Sequence, residues 1–151
     1  MRNVLIIGAG RSASSLINYL LAKSNEQQLH ITIGDLSLEL AQRKTNGHPN
    51  ATALQLDIQN TAQRQAEVAK ADIVISMLPA HMHIEVAKDC IQFKKHMVTA
   101  SYISDAMQAL DAEAKANNLV FMNEIGLDPG IDHMSAMKVI DEIREKGGKM
   151  L

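Results

Sequence analysis

The 151-residue chain has no tryptophan, two tyrosines and two phenylalanines, so aromatic residues make up only 3% of it. That leaves no row of aromatic rings on which single-stranded nucleic acid could stack. Cationic charge is not in excess either, since 15 Lys and Arg stand against 17 Asp and Glu for a net charge of −2. With these charges scattered along the chain, neither nucleic acid nor a membrane surface is an expected partner. The single cysteine, Cys90, has no partner for an intramolecular disulfide, which makes a reducing, cytoplasmic setting the expectation. The apolar run that opens the chain, Val4 to Ile7, leads straight into glycines and is too short to export or span anything.

What is present is alternation. Short apolar runs take turns with amphipathic stretches, the pattern of a parallel sheet covered on both faces by helices. Six strands are predicted, at Val4–Ile7, Leu29–Ile33, Ala51–Leu56, Ile73–Met77, His96–Ala100 and Leu119–Asn123. Ala13, Leu16, Ile17, Leu20 and Leu21 recur at helical spacing and predict the first helix. Further helices are predicted at Leu38–Lys44, Thr61–Lys70, Ile84–Phe93, Asp105–Asn117 and Ile131–Lys146. The expected fold is therefore α/β, a Rossmann-type doubly wound parallel six-stranded sheet with helices on both faces. Residues 1–130 read as the dinucleotide-binding domain, and 131–151 as a helix leading toward a substrate domain that this chain does not include.

After the first strand comes Gly8-Ala9-Gly10-Arg11-Ser12-Ala13, a G-x-G-x-x-A fingerprint between a strand and a helix. The first glycine permits the tight turn, the second lets the backbone approach a pyrophosphate, and Ala13 keeps the helix close to the strand. Amides around Arg11 and Ser12 would meet the phosphates along the helix dipole. Asp35 closes the second strand in "HITIGD", where a carboxylate accepts from an adenosine ribose and repels a 2′-phosphate. This favours NAD over NADP, although Arg11 or Arg43 offers a phosphate a countercharge; Asp35 also reads as a turn acid before Leu38. Asp57 and Ile58 suit the adenine, with helix capping the competing role for Asp57.

"SMLP", Ser76, Met77, Leu78 and Pro79, ends the fourth strand at the point where strand order should reverse, and would line the middle of the dinucleotide. His81 and His83 sit two apart, share no helical face and have no Cys or acid cluster beside them, so no metal is expected and they read as solvent-facing or helix-entry residues. Ser101 and Tyr102 end the fifth strand on the same rim, where Tyr102 either donates to a substrate or packs on the loop. "GLDPGIDH", Gly126 to His133, reads as a helix start with Pro129 at the first helical position and Asp128 as its cap. Asp132 and His133 read as structural.

Three blocks, "GAGRSASSLINYLL", "ADIVISMLPAHMHIEVAKDCIQFKKHMVTASYIS" and "MNEIGLDPGIDHMSAMKVIDEI", resemble the glutamate-forming saccharopine dehydrogenases, also called saccharopine reductases. The resemblance runs across nearly the whole chain and implies a homodimeric, NAD- or NADP-dependent enzyme of lysine metabolism. Such an enzyme oxidises the CH–NH bond of saccharopine, an amino-acid substrate, or in reverse joins glutamate to 2-aminoadipate 6-semialdehyde. Carried onto matching positions, it implies that Ser101, Tyr102, Leu127 and Asp128 contribute to the substrate site, with Tyr102 and Asp128 nearest the chemistry. The fungal members use NADP and lack an acid at the position of Asp35, a departure that supports NAD or dual use here. Two other readings remain: a dehydrogenase of a related secondary amine such as a carboxylated polyamine, and an NAD(P)-sensing module without turnover.

Overall fold

The computed structural model describes residues 1–149. Met150 and Leu151, the end of the segment expected to lead out of the domain, lie outside the described residues. The strands are β1 (Arg2–Ile7), β2 (Leu29–Asp35), β3 (Ala51–Gln55), β4 (Ile73–Ser76), β5 (His96–Thr99) and β6 (Phe121–Met122). All pair in parallel, in the order β3-β2-β1-β4-β5-β6. The helices are α1 (Ser14–Lys23), α2 (Leu38–Thr45), α3 (Thr61–Lys70), α4 (His83–Gln92), α5 (Asp105–Gln108), α6 (Asp111–Ala116) and α7 (Ile131–Glu145). Short 3₁₀ turns at Arg11–Ala13 and Ala80–Met82 precede α1 and α4.

The apolar run of β1 is continuous because both faces are covered. Side chains alternate across a strand, so Val4 and Ile6 pack with Ile17 and Leu21 of α1 and Ala41 of α2. Leu5 and Ile7 face the other way, onto Val68 of α3 and Val86 and Cys90 of α4. Ile6, Ile17, Val68 and Val86 are wholly buried, and burial of each such side chain stabilises the fold by roughly 1.5–3 kcal/mol. The chain steps from β1 outward to β3, then crosses back through α3 to place β4 on the other side of β1. The crevice where the strand order reverses lies between β1 and β4, at their carboxyl ends.

Several expected boundaries are corrected. The single helix expected over Asp105–Asn117 is two, because the Leu110 amide bonds Met107 O three residues back at 3.1 Å and tightens the turn between α5 and α6. The sixth strand shrinks from Leu119–Asn123 to Phe121–Met122, an edge strand with Met122 exposed. Pro129 is not the first helical residue and Asp128 caps nothing, since α7 starts at Ile131. The reason is a closed loop: Gly126 N donates to Pro129 O at 2.8 Å and Ile131 N to Gly126 O at 3.0 Å. Between them Gly130 holds φ 146°, a left-handed value that only glycine tolerates there, so the helix cannot begin before it.

Candidate functional site

The fingerprint loop joins β1 to α1 at the reversal point. Gly8 adopts φ 107° with its α-carbon against the β4 end, where an added Cβ would stand 2.8 Å from the Met77 carbonyl oxygen. Gly10 meets nothing within 4 Å of the same construction, so its face is open. Ala13 is fully buried against the sheet, while Arg11 and Ser12 are exposed. No side chain caps the turn that begins at Arg11, and an uncapped helix start presents unpaired amides to an anion. An open glycine beside such a start fits a pyrophosphate.

Asp35 ties the end of β2 to this loop. Its Oδ2 accepts from Ala9 N at 2.7 Å and its Oδ1 from Ser37 N at 2.9 Å. A carboxylate has about four acceptor positions, so ribose hydroxyls retain a place on it. Ser37, not Asp35, caps α2, accepting from Leu40 N. Asp35 lines a cleft of about 250 Å³ with Gly8, Leu36, Leu56, Asp57, Ile58 and Leu78, an apolar slot with acids at its mouth that suits adenosine. Asp57 does not cap α3; Asn60 does, while Asp57 Oδ1 accepts from Gln59 N within the cleft loop. A neighbouring groove of about 450 Å³ is lined by Ala9, Gly10, Arg11, Leu40, Arg43 and Lys44. In it Arg43 pairs with Glu39, and Lys44 Nζ donates to Ser14 Oγ.

On the other side of the fingerprint, Ser12, Ser76, Met77, Leu78, His83, Thr99 and Ser101 enclose a cavity of about 160 Å³. Ser76 is buried, Met77 and Leu78 are half-buried and Pro79 is exposed beyond them. Of the two places expected for His83, it takes the helix entry, as the first residue of α4, and not the solvent-facing one: it is 4% exposed and hydrogen-bonds Ser76, Thr99 and Ser101. The cavity continues to an exposed rim. There Tyr102 donates its phenol proton to Asp128 Oδ1 at 2.6 Å, which joins the β5 loop to the β6 loop. That bond pushes the phenol above the usual tyrosine range, so Tyr102 is protonated at neutral pH and acts as a donor, not a base.

Glu124 makes a second tie, with its amide on Ser101 O at 3.1 Å and its carboxylate accepting from Ile103 N at 3.0 Å. Leu127, 75% exposed, stands free at the loop tip. Asp132 works locally: its Oδ1 accepts from Gly130 N and from His133 Nδ1. Desolvation opposes ionisation of Asp132, but those hydrogen bonds outweigh it and hold the carboxyl below its usual range. The ligand atoms of Asp128, Asp132 and His133 fall within 4.8 Å of one another, all on exposed side chains. Thr99 and Glu124 were missed from the sequence, where nothing but their position near strand ends marks them, and His83 was read there without a role in the site.

The family model for the saccharopine dehydrogenase NADP-binding domain matches residues 4–122. The chain belongs to this family. As a saccharopine dehydrogenase NADP-binding domain it is a Rossmann-type NAD(P)-binding unit, the role for which its fingerprint and clefts are shaped. Among its relatives, the glutamate-forming, NADP(+) saccharopine dehydrogenase of Pyricularia oryzae is 41% identical over 99% of this chain and 32% of its own length. The mouse mitochondrial alpha-aminoadipic semialdehyde synthase is 37% identical over 97% of this chain and 15% of its own. The apo structure of the Saccharomyces cerevisiae saccharopine dehydrogenase (L-Glu forming) superposes with a TM-score of 0.86, at 37% identity over 99% of this chain and 33% of that one. The chain thus spans about a third of the length of the fungal relatives it matches.

Proposed function

We propose that this chain serves an oxidoreductase that oxidises the CH–NH bond of saccharopine with NAD(P), or in reverse reduces the imine formed from glutamate and 2-aminoadipate 6-semialdehyde. The observation that carries the reading is the Tyr102–Asp128 pair on the rim beside the Ser101 cavity. A bound nicotinamide supplies hydride transfer. The residues of this chain bind and orient: Gly8, Gly10 and the amides at Arg11 and Ser12 hold the phosphates, Ala13 keeps the helix close to the strand, and Asp35 holds the ribose. Asp57, Ile58, Ser76, Met77, Leu78 and Pro79 line the remainder. Ser101, Tyr102, Leu127 and Asp128 receive the substrate, with the Asp128 carboxylate steering a cationic secondary amine and Tyr102, whose one proton goes to Asp128, holding that carboxylate in place.

NAD is the preferred dinucleotide in this reading. The Asp35 carboxylate repels a 2′-phosphate, and two of the basic groups in the adjoining groove, Arg43 and Lys44, already have partners. Residues 131–151 lead into a substrate domain. This is supported by α7, which buries none of its residues and leaves Ile131, Met134, Met137, Val139 and Ile143 at 40% exposure or more. Homodimeric assembly and a cytoplasmic setting complete the reading; among the described residues, no helix is long and apolar enough to cross a membrane. The test is steady-state kinetics of the full-length protein with saccharopine and each dinucleotide. Saccharopine-dependent reduction with the higher kcat/KM for NAD is expected. No turnover with either dinucleotide refutes the activity, and a higher kcat/KM for NADP refutes the preference.

A further inference from the structure

Ala9 sits between the two fingerprint glycines and is 1% exposed, which leaves its amide almost no access to water. The acceptor that satisfies it lies outside the loop: it is Asp35 Oδ2, 2.7 Å away at the end of β2 and 26 residues on. Among the described residues it is the amide's only partner. The backbone on either side of this corner is already fixed, with Gly8 N on Gly34 O at 2.8 Å and Met77 N on Ile7 O at 2.8 Å. Gly10 beyond it faces open space. The bond from Ala9 to Asp35 is therefore the last tie before the loop opens toward a ligand.

The other carboxylate oxygen, Oδ1, accepts from Ser37 N at 2.9 Å, beside the start of α2. Asp35 thus has two separable properties, an acceptor oxygen directed at the loop and a negative charge in the cleft it lines with Leu56 and Ile58. A side chain with neither leaves the buried Ala9 N–H without a partner, a costly state. The loop relieves it by moving Ala9 toward water, and Gly10 and the amides of Arg11 and Ser12 move with it. A neutral amide of the same shape removes only the charge. Its one oxygen can still face Ala9, while Ser37, half-buried, turns to solvent for an acceptor.

We propose that Asp35 is a positioning residue for the pyrophosphate in addition to a ribose ligand: its bond to the Ala9 amide holds Gly10 and the amides that follow, so this chain needs an acceptor at residue 35 whichever dinucleotide it takes. The ribose half belongs to the reading above; the clamp rests only on dinucleotide binding by the fingerprint. An NAD analogue whose adenosine lacks both ribose hydroxyls separates the two, because it has nothing to donate to the carboxylate. In the full-length protein Asp35→Ala is expected to bind this analogue about tenfold or more weakly than the unsubstituted protein does. Asp35→Asn restores most of that loss. The two variants lack the charge alike and differ in the acceptor, so Asp35→Asn also binds NADP about tenfold more tightly than Asp35→Ala. Unchanged affinity for the analogue in Asp35→Ala, or equal affinities of the two variants for either ligand, overturns the inference. Should Asp35→Ala fail to fold, the Ala9 amide proton decides: it must be protected from solvent exchange in the unsubstituted protein and in Asp35→Asn, and rapid exchange in either overturns the clamp. Should the unsubstituted protein bind the analogue as tightly as NAD, the ribose contact falls on its own, and the comparison of the variants still decides the clamp.

Discussion

The two fingerprint glycines are predicted to fail in opposite ways. Gly8→Ala forces a side chain into φ 107° and drives its Cβ to 2.8 Å from a backbone carbonyl oxygen, that of Met77. A non-glycine residue in such a region costs about 1–3 kcal/mol, and overpacking against backbone costs about as much again. Together these remove roughly 2–6 kcal/mol from a domain whose total stability is of the order of 5–15 kcal/mol. For a domain of this size the melting temperature falls by about 10 °C. Gly10→Ala meets nothing within 4 Å and sits at φ −62°, ψ 179°, a conformation open to any residue. Its stability stays within about 0.5 kcal/mol of the parent. Yet the new methyl occupies the face that fits a pyrophosphate, and dinucleotide affinity drops about tenfold or more. Thermal melting and dinucleotide titration of both variants of the full-length protein separate the effects. Equal losses of stability, or a Gly10→Ala protein that binds as tightly as the parent, refute the assignment of one glycine to the fold and the other to the ligand.

Arg64, 5% exposed, pairs with buried Asp89 at 2.5 Å and also donates to the carbonyl of Ile58, which lines the cleft beside Asp35. Arg64→Ala is expected to cost about 3–5 kcal/mol in denaturant unfolding, because it strands the Asp89 carboxylate. The Arg64→Met, Asp89→Leu pair regains that stability but binds dinucleotide more weakly, since the cleft loop loses its strap; unaltered affinity in the pair rules the strap out. Burial pushes the Cys90 thiol up to about 12, with the adjacent Asp89 adding to it, so alkylating agents leave it intact in the native protein at neutral pH and modify it on unfolding. Its folded pKa is raised, so the stability it contributes is present below the ordinary thiol range and lost as pH rises through about 12, a decline that Cys90→Ser should flatten in alkaline unfolding curves. Asp128→Asn should return the Tyr102 phenol toward its usual range, read as tyrosinate absorbance, and raise KM for saccharopine; an unchanged titration and KM remove Asp128 from the site.

The sheet was legible because burial on both faces leaves a local mark. Val4–Ile7 and Ile73–Met77 are apolar runs that only a covered parallel strand explains, and the structure keeps both as β1 and β4. Asp105–Asn117 was misread because a helix and two helices have the same composition; a single choice, Leu110 N bonding three residues back, decides between them. Asp128-Pro129 carries the local pattern of a helix start, and it was overridden by a loop closed between Gly126 and Ile131, which no pattern within those two residues records.

The division runs through the site itself. On the side of the fingerprint, most of the candidate groups act through their own backbone or within a few residues of it, with Gly8 and Gly10 in one turn, Asn60 capping the helix that follows Asp57 and Ser37 two residues from Asp35; the exception is the Asp35 bond to Ala9 N, which spans 26 residues. Such short-range chemistry leaves a spacing in the sequence, and the fingerprint was read from it. Beyond the switch point each strand end is separated from the next by a helical crossover, so the rim is built from side chains of distant segments. His83 meets Ser76 across 7 residues and Ser101 across 18, and Tyr102 meets Asp128 across 26. No period links such positions, which is why Ser101 and Tyr102 are placed on the rim only by standing at a strand end, and why His83 reads in the sequence as no more than a solvent-facing or helix-entry residue.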